Sequence, residues 1–135
     1  MSVKPPPSEV TLPWPPRILS PNVRAHWAAK NRAAQAYRYA CWGSAKEAKL
    51  TAPPKPKSSG KRWLHVGIRF YPPDKRRRDD DNMITSLKYG LDGLALALGL
   101  DDNCFIIHPS VSESIGGMVK IKITDKLADL EDWYD

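Results

Sequence analysis

The sequence predicts an α+β domain: a small mixed β-sheet with two main helices. Three observations predict it. An alternating apolar run at Trp63–Tyr71 reads as a strand. A helical-period apolar stripe follows it from Met83 to Leu98. Two further short strand-like runs, 104–107 and 118–124, come after that stripe. With 135 residues the chain matches one domain and one hydrophobic core.

The elements are justified in chain order. Residues 1–8 are rich in proline and read as a flexible start. Glu9-Val10-Thr11-Leu12 alternates polar and apolar, a short strand. Pro13-Trp14-Pro15-Pro16 follows it, and proline lacks the ladder N–H, so this strand belongs at a sheet edge. Asn22 is a plausible cap for a helix over 24–49, where Ala34, Tyr37, Cys41, Ala45 and Ala48 recur at helical spacing. Residues 51–60 form a basic Pro/Ser/Gly linker.

In the strand Trp63–Tyr71, Leu64, Val66, Ile68 and Phe70 share one face. Pro72-Pro73 stops it. The second helix carries Met83, Ile84, Leu87, Leu91, Leu94, Ala95 and Leu98 on its apolar stripe and ends at Gly99. Gly116-Gly117 suits a turn into the last strand, 118–124. The domain therefore spans 1–124, and 125–135 is an acidic tail. A loose, solubilising end is the favoured reading of that tail; competition of its acids with a partner of the basic face is the other.

Charge narrows the function classes. The last eleven residues hold five acids and one lysine, while the first 124 carry 20 bases and 10 acids. A basic body with an acidic tail suits a polyanionic partner, most simply nucleic acid. No apolar run reaches membrane-spanning length, and no apolar region of a secretory signal opens the chain. The two cysteines, Cys41 and Cys104, make a disulfide scaffold unexpected and point to a reducing, cytoplasmic setting. There is no phosphate-binding loop, no Cys-x-x-Cys pair and no His-Glu-x-x-His motif.

The chemistry concentrates at Asp74-Lys-Arg-Arg-Arg-Asp-Asp-Asp-Asn82. Acids where a helix begins cap free N–H groups and oppose the helix dipole, which is one complete explanation of Asp79, Asp80 and Asp81. The other is a divalent-metal site. Magnesium takes carboxylate and water oxygens, often with substrate phosphate. Asp79 and Asp81 can share one ion only if the backbone between them is extended or straddles the helix cap. Lys75, Arg76, Arg77 and Arg78 would hold the DNA backbone that the acids repel, with Arg24 and Lys30 as further DNA contacts.

Asp101 and Asp102 form a second acidic pair, either ordinary turn residues or further metal ligands. A straight helix from Asp81 to Leu98 spans roughly 26 Å, which leaves Asp102 near its far end. Two such helices packed antiparallel about a two-fold axis would bring Asp101 or Asp102 of one subunit to Asp79 and Asp81 of the other. Asp81, Thr85, Lys88 and Asp92 make a polar stripe along the helix, and Lys88 could reach a phosphate there.

Three motifs together resemble the RusA family of Holliday junction resolvases: Leu12-Pro-Trp-Pro-Pro16, Arg76-Arg-Arg-Asp-Asp-Asp-Asn82 and Leu100-Asp-Asp102. The resemblance covers about residues 10–124. It implies an intertwined homodimer that makes paired symmetric nicks in four-way junction DNA, with Mg2+ as cofactor, Mn2+ as substitute and no organic cofactor. The family's essential acids map onto Asp79, Asp81 and Asp102, with Asp101 as an additional candidate ligand. The family's lysine four residues after the second acid is absent; Thr85 stands there, and Lys88, on the same stripe, is assigned its role. Such genes often belong to phages or prophages. A non-catalytic dimeric junction-binding protein of a phage is the alternative.

Overall fold

The computed structural model describes residues 7–55, 57 and 60–134. Most of the proline-rich start and part of the 51–60 linker lie outside the described residues. A four-stranded mixed sheet carries two long helices on one face. The elements run β1 (Glu9–Pro13), α1 (Trp27–Glu47), β2 (Leu64–Tyr71), α2 (Asp80–Leu98), β3 (Phe105–Val111) and β4 (Met118–Thr124). The strand order is β1-β4-β2-β3. β4 is antiparallel to both its neighbours, and β3 runs parallel to β2. Parallel neighbours need a crossover, and α2 provides it.

The α+β expectation with a small mixed sheet and two helices is borne out. The proline-flanked β1 is an edge strand, as the missing donors of its Pro-rich sequel require. β3 is the other edge. Its predicted extent, 104–107, is too short: it continues through Pro109 to Val111, because a proline on a free edge forfeits no ladder bond needed by a neighbour.

Period-two alternation sorts the strand residues cleanly. Leu12 of β1, Leu64, Val66, Ile68 and Phe70 of β2, and Val119, Ile121 and Ile123 of β4 are buried and meet the helices. α1 contributes Ala34, Tyr37, Cys41 and Ala45 to this core; α2 contributes Met83, Leu87, Leu91 and Leu94. The two helices touch backbone to backbone. A methyl group on Gly93 would overlap the Arg38 carbonyl oxygen, and one on Gly90 would lie 2.9 Å from the Tyr37 ring. The Tyr37 hydroxyl donates 2.7 Å to the Pro13 carbonyl and fixes α1 against the end of β1.

The start of α1 differs from expectation. Asn22 does not cap it. The backbone N–H groups of Asn22 and Val23 turn back to the Ser20 hydroxyl and carbonyl, and such local bonding competes with helix. The cap is His26, whose Nδ1 accepts from the Ala28 N–H at 3.2 Å.

The acidic tail is part of the domain, which corrects the expectation of a loose end. Residues 127–130 form a short 3-10 turn after β4, and Leu130 is buried. The following residues lie on the sheet face away from the helices, against Gly67 and Arg69 of β2. The Arg69 guanidinium donates to the Trp133 carbonyl and sits over the indole. The Trp133 indole N–H donates 2.7 Å to Glu9, and the Tyr134 hydroxyl donates 2.7 Å to the His108 carbonyl. The same composition that reads as solvated therefore carries three large side chains, Leu130, Trp133 and Tyr134, that cover part of the second face. Among the described residues, no helix is long and apolar enough to cross a membrane.

Candidate functional site

The charged segment before α2 is a built loop. The Asp74 carboxylate accepts from the Arg76 N–H at 2.9 Å and pairs with Arg78 at 2.8 Å. Arg78 also donates to the carbonyls of Asp74 and Arg76, at 3.1 and 2.9 Å. The Arg76 N–H, and then Arg78, hold the Asp74 carboxyl below its ordinary range. Arg78 is thereby committed to the loop's shape, and its guanidinium lies 5.7 Å from the Trp14 ring. Of the four expected DNA-binding bases in this run, Lys75, Arg76 and Arg77 project from the surface. Arg76 retains a loose pairing with Asp74 at 3.7 Å. Asp74 was not a candidate by sequence. Its signal is an Asx turn, with acceptor and donor two residues apart and an arginine four residues on.

Asp79 is the N-cap of α2. Its backbone is extended, and its Oδ1 accepts from the Asp81 N–H at 2.9 Å. Asp80 and Asp81 form the first helical turn. The pair Asp79 and Asp81 thus straddles the cap, one of the two geometries that sharing an ion demands, and both side chains are exposed. The capping bond uses one Asp79 oxygen and leaves the other. Carboxylate oxygens open to water are the donor chemistry that Mg2+ takes, so these residues fit the ion. Thr85, at the position of the missing lysine, donates its hydroxyl back to the Asp81 carbonyl at 2.9 Å.

Asp102 lies elsewhere. After α2 ends at Gly99, in the left-handed conformation (φ 68°), Asp101 caps a short 3-10 turn, accepting from the Asn103 N–H at 3.0 Å. The turn brings Asp102 back beside Asp92. Burial first, and then the neighbouring Asp102 carboxyl, push the Asp92 carboxyl up to about 6 against the opposing pull of Arg38 and Lys88. Asp92 is eleven residues beyond Asp81, about 16 Å along the helix. Among the described residues no group of three potential ligands converges in one chain.

Two cavities mark these two ends. The first, of about 460 Å³, lies between the Trp14-Pro15-Pro16 segment, the arginine loop and the start of α2, with Asp79 on its lining. Arg17 and Asn22 also line it; sequence reasoning assigned neither to a site. Lys30 reaches toward this loop, 3.5 Å from the Ser20 carbonyl, whereas Arg24 is simply exposed. The second cavity, of about 300 Å³, is lined by Ile84, Leu91, Phe105 and Ile107 with Thr85, Lys88 and Asp102. The structure therefore places Lys88 with Asp102 and away from Asp79.

No family model matches the chain. An uncharacterised protein of Xylella fastidiosa is 38% identical over 117 residues, covering 85% of this chain and 74% of its relative. The chain belongs to that protein's family. The shared stretch is long enough to include most of the sheet and helices.

Proposed function

We propose that this protein is a RusA-like Holliday junction resolvase, an endonuclease that makes paired nicks in four-way DNA junctions. One observation carries the reading: Asp79 and Asp81 straddle the start of α2 directly behind a loop of exposed arginines. Exposed carboxylates beside exposed guanidiniums suit a phosphodiester, because the cations hold the flanking phosphates that the acids alone would repel.

The separation of Asp102 from this pair supports a homodimer as the working form. The cavity beside Lys88 and Asp102 is lined along α2 and the β3 edge by the half-buried Ile84, Phe105 and Ile107, with the buried Leu91 behind them. A second α2 laid antiparallel in that groove would bring its own Asp79 and Asp81 toward Asp102. Asp79 and Asp81 of one subunit and Asp102 of the other would then hold Mg2+. The chemistry supplied by the bound ion is activation of water and stabilisation of charge at the scissile phosphate. Arg76 and Arg77 position the backbone. Lys88 contributes positive charge beside Asp102, where charge develops on the phosphate. A two-fold dimer on a nearly two-fold junction cuts opposed strands.

The second reading, a junction-binding protein without catalysis, draws on the Asp79 capping bond, which gives that carboxylate a structural role of its own. Incubation with a labelled four-way junction and a matched linear duplex, with Mg2+ or chelator, separates the two. The resolvase gives paired nicks in the junction alone and only with metal. Tight binding with no cutting across several divalent ions establishes the binding protein instead.

A further inference from the structure

The cavity beside Asp79, of about 460 Å³, has walls that differ in kind. Trp14, Pro15 and Pro16 form a rigid apolar side. Ser86 of α2 and Asn22 of the facing loop also line it; the Ser86 hydroxyl donates 2.8 Å to the Asn82 carbonyl, which leaves its oxygen as an acceptor. Arg17 and Arg77 stand on its rim, and neither makes an ion pair among the described residues. An apolar wall with a few hydrogen-bonding groups and uncommitted cations at the mouth is the chemistry of a nucleotide: flat base inside, phosphate outside.

We propose that this cavity receives one unstacked nucleotide from the branch point of the DNA, placing the adjoining phosphate beside Asp79. The inference rests on the resolvase reading and adds a site to it. Bases at a branch point are already weakly stacked, so moving one out costs less there than in a continuous duplex. The base lies against Trp14 and the prolines, where aromatic contact is indifferent to base identity. Asn22 and Ser86 meet its hydrogen-bonding edge, and this is where a preference for particular bases at the cut site originates. Arg17 and Arg77 clamp the two phosphates of the extruded nucleotide. The cavity thereby couples junction recognition to the position of the scissile bond.

The test uses the full-length protein in chelator and a four-way junction carrying 2-aminopurine at each branch-point position in turn. Its fluorescence rises when the base leaves the stack. Binding of the wild type raises the signal by at least ~3-fold at one position, and Asp79→Asn does the same. Ser86→Leu, which fills the cavity, loses the rise even at protein concentrations that saturate the junction. If circular dichroism shows Ser86→Leu unfolded, Asn22→Ala takes its place and reduces the rise by about half or more. Junction binding with no rise at any position overturns the nucleotide site and leaves the resolvase reading intact. A rise unchanged in the folded cavity variant overturns it as well. Failure of the wild type to bind the junction at all overturns both.

Discussion

The Asp102 carboxyl lies beside Asp92, about three helical turns along α2 from Asp81. One chain therefore holds its two acidic groups apart, at opposite parts of the same helix. Each group also has a local role in its own chain: Asp79 caps α2, and Asp102 follows the cap of a short turn. Stability and catalysis can be separated at both.

At Asp79 the separation is chemical. Asparagine caps a helix about as well as aspartate, whereas alanine does not. Asp79→Asn is expected to keep the wild-type unfolding free energy to within about 0.5 kcal/mol, and Asp79→Ala to lose about 1 kcal/mol. Both should bind the junction and cut it at least ~100-fold more slowly. Urea denaturation alongside a nicking assay reads both effects. Normal cutting by Asp79→Asn would leave the residue as a cap alone.

The arginines divide in the same way. Arg77 is exposed and makes no ion pair among the described residues, so Arg77→Ala should weaken junction binding and lower the slope of log affinity against log salt by about 1. Arg78 braces the loop through Asp74, so Arg78→Ala should lower the thermal midpoint and disturb the approach to Asp79. Salt titrations by fluorescence anisotropy distinguish them. Equal salt slopes for the two variants would contradict the assignment.

The C-terminal segment is expected to contribute to stability through a flat contact. A Cβ on Gly67 would lie 2.8 Å from the Trp133 ring and 2.9 Å from Leu130. Gly67→Val should therefore displace the segment and cost about 2 kcal/mol, with Trp133→Ala costing a similar amount. In the double variant the losses should not add, because both remove one contact. Chemical denaturation of the four proteins checks this. Additive losses would mean that Gly67 and Trp133 act separately.

Beside that segment, His65 Nδ1 and His108 Nε2 lie 2.9 Å apart across β2 and β3. Burial, and then the neighbouring His65, hold the His108 pKa below its ordinary value. The folded state thus binds protons less readily than the unfolded chain at this position. Its contribution to stability is whole above the unfolded value of about 6.5 and is lost as pH falls through that value toward the depressed one. The urea midpoint should fall between pH 7.5 and 5, and fall less in His108→Asn. An identical pH dependence in both proteins would remove the pair from the account.

Much of the fold was legible in the sequence because its signals are local. The alternation of Leu64, Val66, Ile68 and Phe70 and the stripe from Met83 to Leu98 each fix an element and its buried face. Gly99 marks the stop it should. What failed depended on competition or on distance. Asn22 lost the cap to His26 because Ser20 offered the backbone another partner. The tail was misread because its acids conceal Leu130, Trp133 and Tyr134, whose partners Gly67, Glu9 and His108 are far away in sequence. At the site, the cap-straddling geometry of Asp79 and Asp81 followed from spacing alone. The cavity near Trp14 did not, since Arg17, Asn22 and Ser86 meet only in three dimensions.

The central claim is that each active site draws acids from two subunits, and mixed dimers test it most directly. Asp79→Asn and Asp102→Asn, each inactive alone, would be co-expressed with different tags and purified as the doubly tagged dimer. If sites are composite, one site in the mixed dimer lacks both acids and the other keeps Asp79, Asp81 and Asp102 intact. The account predicts restored, metal-dependent nicking of one strand of the junction without the paired second cut. A mixed dimer as inactive as its parents would show that each chain uses its own acids, and would contradict the account.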